Sequence, residues 1–526
     1  LQFVVNAVKR NYYRDSIQLM RLTEEAKRLE GVIDAVVAMG TETNKLLLEQ
    51  LGLLTEEGRR ATEEDMVLAV KASGEDSARA LLSRLESLLL SPTQTVKAGE
   101  RTYSSIEGAL SDMPGANLAL VSVPGWQAGG VAMNLLKRGI NVHLFSDHVP
   151  VEQEVELKEY ARKNGLLLLG PGAGTSIING VGLGFANVVK RGKVGIVASA
   201  GTGLQEVSVL LDAAGVGISH ALGVGGSDVS SRVGGIMTLE CVRLLEEDSS
   251  TSLIVIIAKK PEESVMKSVM GYVMRNTTKP VVACFLGFSS SSTGHVRHAS
   301  TLHSAAALAA RLAKANPLQT QGPHGVEKEA ASLRLRIKDG RRFVRGLYSG
   351  GTFAHESLLI FRELVSEPYS NTPITPSKLL HDPSRSEGNC IVDLGDEFFT
   401  EGRAHPMIDP TIRRVRLIQE ASDPGVAVIM MDVVLGYGSA PDPAGAMADA
   451  VLYARRAGSS GIVYMAHVCG TQGDPQVLEE QKAKLSRAGV ALYPSNAMMA
   501  ATAALIVGGP DAASRLKARW RELFGE

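Results

Sequence analysis

From residue 118 onward the chain repeats one phrase: a short, continuous apolar run, a turn rich in Gly, Pro, Ser or Asp, and then an amphipathic helix. Strands that are apolar throughout and alternate with helices build parallel sheets, because right-handed crossovers cover both faces of the sheet. The first cycle, residues 116–190, has expected strands at Leu118–Val123, Asn141–Phe145 and Leu166–Leu169, with helices over Val131–Arg138 and Glu152–Asn164. The second, residues 191–315, has Val194–Val197, Gly217–Leu222, Leu253–Ala258 and Val281–Leu286. The third, 342–508, has Phe343–Leu347, Cys390–Leu394, Val426–Val434, Ile462–Ala466 and Val490–Tyr493. The expected class is therefore α/β with parallel sheets.

Residues 1–95 differ and read as a small α+β domain. Its strands are Phe3–Ala7, Val32–Met39 and Val67–Lys71. Its helices are Ile17–Leu29, capped by Asp15-Ser16, one from about Asn44, and Ser77–Leu90, with a break at Ser91-Pro92-Thr93. Asn316–Gly340, with Pro317, Gln319, Gln321, Gly322 and Pro323, reads as an interdomain linker, and Glu367–Asn389, with four prolines, as a long surface loop. The expected domains are 1–95, 101–190, 191–315 and 342–526, with 316–341 as linker.

Composition narrows the function. A net charge of −1 and the absence of any basic run argue against a protein that holds nucleic acid by neutralising phosphates. No stretch of 18 or more apolar residues is present, so no membrane span is expected. Leu1-Gln2-Phe3-Val4-Val5 meets Lys9, Arg10 and Arg14 at once, unlike a signal peptide. Cys241, Cys284, Cys390 and Cys469 form no CxxC, so buried reduced thiols, no metal clip and a cytoplasmic, reducing compartment are expected. Fifty-four glycines against 5% aromatics suit backbone-lined ligand sites.

In open parallel sheets ligands sit beyond the strands' C-terminal ends. Candidate anion turns, each also readable as a plain glycine turn, are Gly170–Thr175 with Gly172, Ser199-Ala200-Gly201-Thr202-Gly203, Gly225-Gly226-Ser227-Asp228 and Tyr348-Ser349-Gly350-Gly351-Thr352. None is a P-loop. Asp393-Leu394-Gly395-Asp396, Arg403–Pro410 with His405 and Asp409, Asp432–Gly438 with Gly436 and Gly438, and Cys469–Pro475 add polar groups at neighbouring strand ends. Asp396, Asp409, Asp442 and Asp474 could bind a cation, although no ligand spacing is diagnostic. His295, His298 and His303 follow Val281–Leu286 behind a flexible Ser289–Ser292 run.

Val121-Ser122-Val123-Pro124, Gly170-Pro171, Val197–Thr202 and Gly223–Asp228 resemble, in order, the α-subunit pattern of succinyl-CoA synthetase. The resemblance implies a Rossmann-like CoA-binding domain followed by a flavodoxin-like ligase domain, with 342–508 similar to a second flavodoxin-like ligase domain. Asp393–Asp396, His405-Pro406-Met407-Ile408-Asp409-Pro410 and Asp432–Gly445 look most like the FdrA family, a likeness that also takes in residues 1–95. That likeness implies an oxamate carbamoyltransferase subunit of ureide catabolism (oxalurate plus phosphate exchanging with oxamate plus carbamoyl phosphate). It would work with other subunits of its operon, self-associate, and contain no ATP-grasp domain.

The departures from the synthetase are specific. The synthetase's phosphorylated histidine has its nearest fit at His298, with His295 as the alternative, and the carboxylate that steadies it is replaced by Lys259. On this reading phosphate, as substrate, sits on Gly172, Ser199, Gly201, Thr202, Gly225, Gly226, Ser349, Gly350, Gly351, Gly436 and Gly438, with Asp396 and Asp409 nearby. Lys259 neutralises it and His405 protonates the leaving amide. If CoA binds, it meets Val123, Pro124 and Gly125. The alternatives are an NDP-forming acyl-CoA synthetase working with a separate ATP-grasp subunit, or a CoA-binding scaffold.

Overall fold

The computed structural model describes residues 2–12, 16–90, 101–288, 291–401 and 403–525. Asp15 of the expected cap, the expected break at Ser91-Pro92-Thr93, and Ser289-Ser290 of the flexible run lie outside them. The chain forms two compact units, Leu1–Thr102 with Leu394–Gln419, and Tyr103–Asp393 with Glu420–Glu526.

The first unit is built on an antiparallel sheet of β1 (Phe3–Lys9), β2 (Val32–Met39) and β3 (Met66–Ala72), in the order β1-β3-β2. Side chains alternate across it, as a period of two requires. Met66, Leu68, Val70 and Ala72 join one core, whose helices Ser16–Lys27 and Glu75–Leu90 contribute Leu19, Ala26, Ala78, Leu81 and Leu85. Val67 and Ala69 face the other way, into a smaller core with Leu48, Leu53 and Ala61. Both faces are thus covered, and Leu394–Gln419 belongs to this unit although it lies inside the span read as the last domain.

The second unit holds three sheets. β4 (Leu118–Val121), β5 (Asn141–Leu144) and β6 (Leu168–Leu169) form a parallel three-stranded sheet in sequential order. Next come β7 (Thr175–Ile178), β8 (Val181–Gly184), β9 (Arg191–Ala198), β10 (Ile218–Gly223), β11 (Leu253–Ala258), β12 (Val281–Phe285) and β13 (Val296–Ala299), in the order β13-β12-β11-β9-β10-β7-β8. Strands β9 to β13 run parallel, and the β7–β8 hairpin adds antiparallel to β10. The last sheet is wholly parallel: β14 (Phe343–Tyr348), β15 (Cys390–Asp393), β16 (Val426–Val434), β17 (Val463–Cys469) and β18 (Ala491–Tyr493), in the order β15-β14-β16-β17-β18.

Every residue of β11, β12, β16 and β17 is buried, which is why those stretches, Asp432 and His467 apart, are apolar without alternation. The expected α/β class is thus found, with several local differences. The helix expected at Val131–Arg138 begins at Gly125, with Pro124 as its N-cap residue. Hairpin β7–β8 and strand β13 were not expected. The stretch read as linker contains the helix Gly322–Arg334, which buries Val326, Ala330 and Leu333. Its Pro and Gln residues mark only the approach to that helix. The four cysteines are buried. Among the described residues no helix is long and apolar enough to cross a membrane.

Candidate anion site at two facing switch points

In each large sheet the first parallel strand is flanked by the next two: β9 lies between β10 and β11, and β14 between β15 and β16. Such a reversal opens a crevice at the strand's C-terminal end, where open α/β sheets bind ligands. β9 runs into Ser199-Ala200 and the helix Gly201–Ala213, and β14 into Ser349-Gly350 and the helix Gly351–Leu364. The two helices start against each other. The Thr352 amide donates to Thr202 Oγ1 at 3.3 Å. A Cβ on Gly203 would lie 3.1 Å from Thr352 Cγ2, and one on Gly350 would lie 2.7 Å from Thr202 Cγ2. Two positive helix ends therefore share one small space, a source of free amides and favourable potential for an anion.

Charged side chains from the neighbouring strands reach the same place. Lys259 follows β11 and Asp393 ends β15, and Lys259 Nζ lies 3.5 Å from Asp393 Oδ2. Gly351 sits against that pair, so that a Cβ there would strike both atoms. Ser199 Oγ is buried and has no hydrogen-bond partner. The turn after β14 is held from behind by Asp432, fully buried on β16, which accepts from the Ser349 amide at 2.8 Å, Ser349 Oγ at 2.9 Å and the Gly350 amide at 2.8 Å. Ser349, expected to hold phosphate, thus turns its hydroxyl to Asp432 instead.

One turn deeper the arrangement repeats on both helices: Glu206 follows Thr202 by four residues and Glu356 follows Thr352 by four, and both are fully buried. Asn496 joins them, its amide donating to Glu206 Oε1 at 3.2 Å and its Nδ2 to Glu356 Oε2 at 2.7 Å. Glu356 also accepts from the Leu302 amide at 2.7 Å. His467 Nε2 pairs with Glu206 Oε2 at 2.7 Å, and its Nδ1 donates to the Tyr493 carbonyl at 3.1 Å. Burial works against the imidazolium, but the Glu206 carboxylate outweighs it and raises the His467 pKa. Cys469 completes a Glu206, His467 and Cys469 group whose donor atoms all lie within 4.8 Å, a set chemically able to take a transition metal but engaged here in hydrogen bonding and an ion pair. His355, in the first turns of the Gly351–Leu364 helix, is buried with Nδ1 unpartnered. Burial, then Lys260, Lys259 and Arg362, lower its pKa to about 3, so it stands neutral beside the lysines.

Glu356 carries a pH prediction. Burial raises its pKa from 4.5 to about 7, with Glu206 adding to the shift. The folded state then keeps a proton that the unfolded chain loses above pH 4.5. The stability tied to that proton is complete below pH 4.5, falls as pH rises towards 7, and is flat above. Over that window it amounts to roughly 3 kcal/mol at most. Urea unfolding of the wild type and Glu356→Gln at pH 5 and pH 8 should show the variant gaining relative stability at the higher pH. An unchanged difference would contradict a raised pKa.

The other expected site residues fall elsewhere. Asp396, His405 and Asp409 belong to the first unit, whereas the glycine turns belong to the second. Asp396 caps the helix Glu397–Thr400, His405 Nδ1 accepts from the Met407 amide, and Asp409 accepts from Thr411. Asp442 caps Pro443–Arg456 and pairs with Lys484, and Asp474 accepts from Asn187, Val188 and Thr471, so both read as structural rather than as cation ligands. Gly436 and Gly438 have positive φ and lie against Ala186 and Phe185. Gly225 packs on the Pro171 carbonyl, and Gly172 faces Asp147. Gly226 is open. Asp228, beyond it, is buried with Lys158 and Glu154 in a closed network. The Val123 amide donates to Ser146 Oγ, Pro124 caps the helix that opens at Gly125, and Trp126 beside them is 77% exposed.

His298 lies on edge strand β13, half-buried, in one register row with Ala283, Ile256 and Val197. Three strand spacings place it about 14 Å from β9. His295 bonds Thr277 and His303 bonds Ser495.

Residues 347–506 match the family profile described as CoA-ligase. Residues 3–104 match one described as AllF, heavy metal-associated domain. Uncharacterized protein YahF of Escherichia coli (strain K12) is 40% identical over 504 residues, which span 93% of this chain and 96% of that protein. The chain belongs to the YahF family. The YahF-family chain is also 28% identical over 241 residues to the alpha subunit of the ADP-forming succinate–CoA ligase of Aquifex aeolicus (strain VF5), covering 44% of this chain and 76% of that one. Among solved structures, dinucleotide-forming acetyl-coenzyme A synthetase 1 of Ca. Korarchaeum cryptofilum with phosphate and ADP aligns at a TM-score of 0.30 and 18% identity, over 86% of this chain and 95% of that one. By the profile match, residues 347–506 of the YahF-family chain, which hold most of the last sheet, form a CoA-ligase domain. Residues 3–104 contain neither Cys nor His, so a heavy metal would find no thiolate or imidazole ligand in them.

Proposed function

We propose that the facing helix ends hold the phosphoryl group of an acyl phosphate and that this chain transfers the acyl group to coenzyme A, as the acyl-handling part of an acyl-CoA synthetase whose nucleotide is bound by a separate ATP-grasp subunit. The observation that carries the reading is the meeting of two switch points, Gly201-Thr202 and Gly351-Thr352, with Lys259 between their sheets. The CoA-ligase match over 347–506 and the succinate–CoA ligase relatives agree with it. The CoA sulfur attacks the acyl carbon, its proton passing to solvent. The C–S bond forms, the bond from carbon to the bridging oxygen breaks, and phosphate leaves with the electron pair. Negative charge grows on oxygen through the step, and the free amides of the first helical turns, with Lys259, stabilise it. CoA enters by way of Val123, Pro124 and Gly125 beside the exposed Trp126.

A second reading keeps the same anion site and dispenses with CoA: phosphate attacks the ureido carbonyl of oxalurate, the C–N bond breaks, and oxamate leaves after taking a proton, giving carbamoyl phosphate. It is favoured by the position of His298, about three strand spacings (~14 Å) from β9, which suits phosphate used directly better than a phosphohistidine. On either reading the chain works with further subunits. Purified protein given acetyl phosphate and CoA, or carbamoyl phosphate and oxamate, is expected to release phosphate in one of the two mixtures. Release in neither, with its operon partners present, removes both readings.

A further inference from the structure

Away from the facing helix ends, the first unit contains a small pocket of about 30 Å³, room for one small polar group, that opens to solvent between its sheet and the segment Leu394–Gln419. Its walls are largely apolar: Leu19, Val36, Ala38, Leu47, Ala404 and Ile412. Into it the segment brings Arg403, whose Nε and both terminal nitrogens are shielded from solvent and meet no acceptor. A guanidinium with five donors and no partner is among the costliest groups to bury. The Asp409 carboxylate attracts the charge but makes no hydrogen bond to it. Asp409 lines the same cavity, yet its Oδ1 accepts from both the Thr411 amide at 3.0 Å and Thr411 Oγ1 at 2.6 Å. Thr23 Oγ1 donates to the Val37 carbonyl and accepts from the Val37 amide. Burial lowers the Arg403 pKa to about 10, offset in part by Asp409, so the group is charged at neutral pH.

We infer that this cavity is a binding site for a small monocarboxylate, whose carboxylate pairs with the Arg403 fork while its short apolar tail lies on Leu19, Val36 and Leu47. Three features select that class. The planar guanidinium matches a carboxylate in two parallel hydrogen bonds. The walls reward a hydrocarbon rather than a hydrated inorganic ion. The Asp409 carboxylate beside the fork repels a second negative charge, which disfavours phosphate and dicarboxylates. The sequence brought Arg403, His405 and Asp409 together in one loop, and the structure separates their uses: Asp409 shapes the loop and Arg403 is left for a ligand.

The test uses the full chain, with propionate as the probe. Millimolar propionate is expected to raise the thermal midpoint and to give a saturable calorimetric signal, whereas chloride and phosphate at matched ionic strength do neither. Arg403→Met, which removes the unpartnered charge and keeps the length, should fold at least as stably without ligand and bind propionate at least about tenfold more weakly. Arg403→Lys, which keeps the charge and loses the fork, should also bind more weakly and serves if the methionine variant does not fold. Equal shifts from propionate and chloride, unaltered propionate binding in either variant, or no response of the wild type would each overturn the proposal. None of these results bears on acyl transfer, which is read in the second unit.

Discussion

Replacing Asp432 with alanine is expected to cost the protein both stability and its anion site. The carboxylate is fully buried and accepts three hydrogen bonds from Ser349 and Gly350. Alanine leaves those donors without an acceptor in a site water does not reach. At about 1–3 kcal/mol for each unsatisfied group, the loss is roughly 3 kcal/mol or more. The turn that aims the amide of Gly351 would also lose its fixed geometry, so turnover with an acyl phosphate should fall about a hundredfold or more. Asp432→Asn retains one carbonyl oxygen and should lie between the two. Chemical denaturation and steady-state rates check both effects. An alanine variant as stable and as active as the wild type would mean that the turn is held by something else.

Gly351→Ala should separate function from stability. Gly351 has an ordinary negative φ, so alanine fits its backbone and, at a helix's first position, even favours the helix by a few tenths of a kcal/mol up to about 1 kcal/mol. The added methyl, however, occupies the space of Lys259 Nζ and Asp393 Oδ2. Both are ends of side chains and can swing aside, so the fold survives while the cation leaves its place. Losing one hydrogen bond to a charged ligand corresponds to about 1.5–3 kcal/mol, or roughly ten- to a hundredfold in phosphate affinity. The expected result is a thermal midpoint unchanged or slightly higher, with phosphate binding at least about tenfold weaker. Weakened folding with unaltered phosphate binding would contradict the placement of Lys259.

Much of this could be read from the residues. The strand ends at Ala198-Ser199 and Tyr348-Ser349 stood out because fully buried parallel strands cannot hide their apolar runs, and the turns that follow must carry any polar chemistry. Lys259 was singled out by the resemblance alone, as the residue standing where the synthetase has a carboxylate. The hairpin β7–β8 had a clear signal in Asn179-Gly180, whose two positive φ values suit a tight two-residue turn, but the preceding glycines drew attention as an anion loop. The deeper pair, Glu206 and Glu356, had a signal too: Gly201-Thr202 and Gly351-Thr352 are each followed four residues later by glutamate. What one sequence could not show is that Asn496, nearly three hundred residues from Glu206, would join them. Nor could it show that Leu394–Gln419 belongs with the N-terminal unit, since its His, Pro and Asp residues look the same whether they cap a loop or serve a catalyst.

The central claim is that phosphate is held where the Gly201 and Gly351 helices meet, with Lys259 as its counter-charge. The most direct measurement is calorimetric titration of inorganic phosphate into the wild type and Lys259→Met, with the wild-type complex crystallised. The account predicts saturable binding, a loss of about tenfold or more in the variant, and phosphate density on the amides of the two helix ends. Equal affinity in both proteins, or phosphate bound only away from those helix ends, would contradict it.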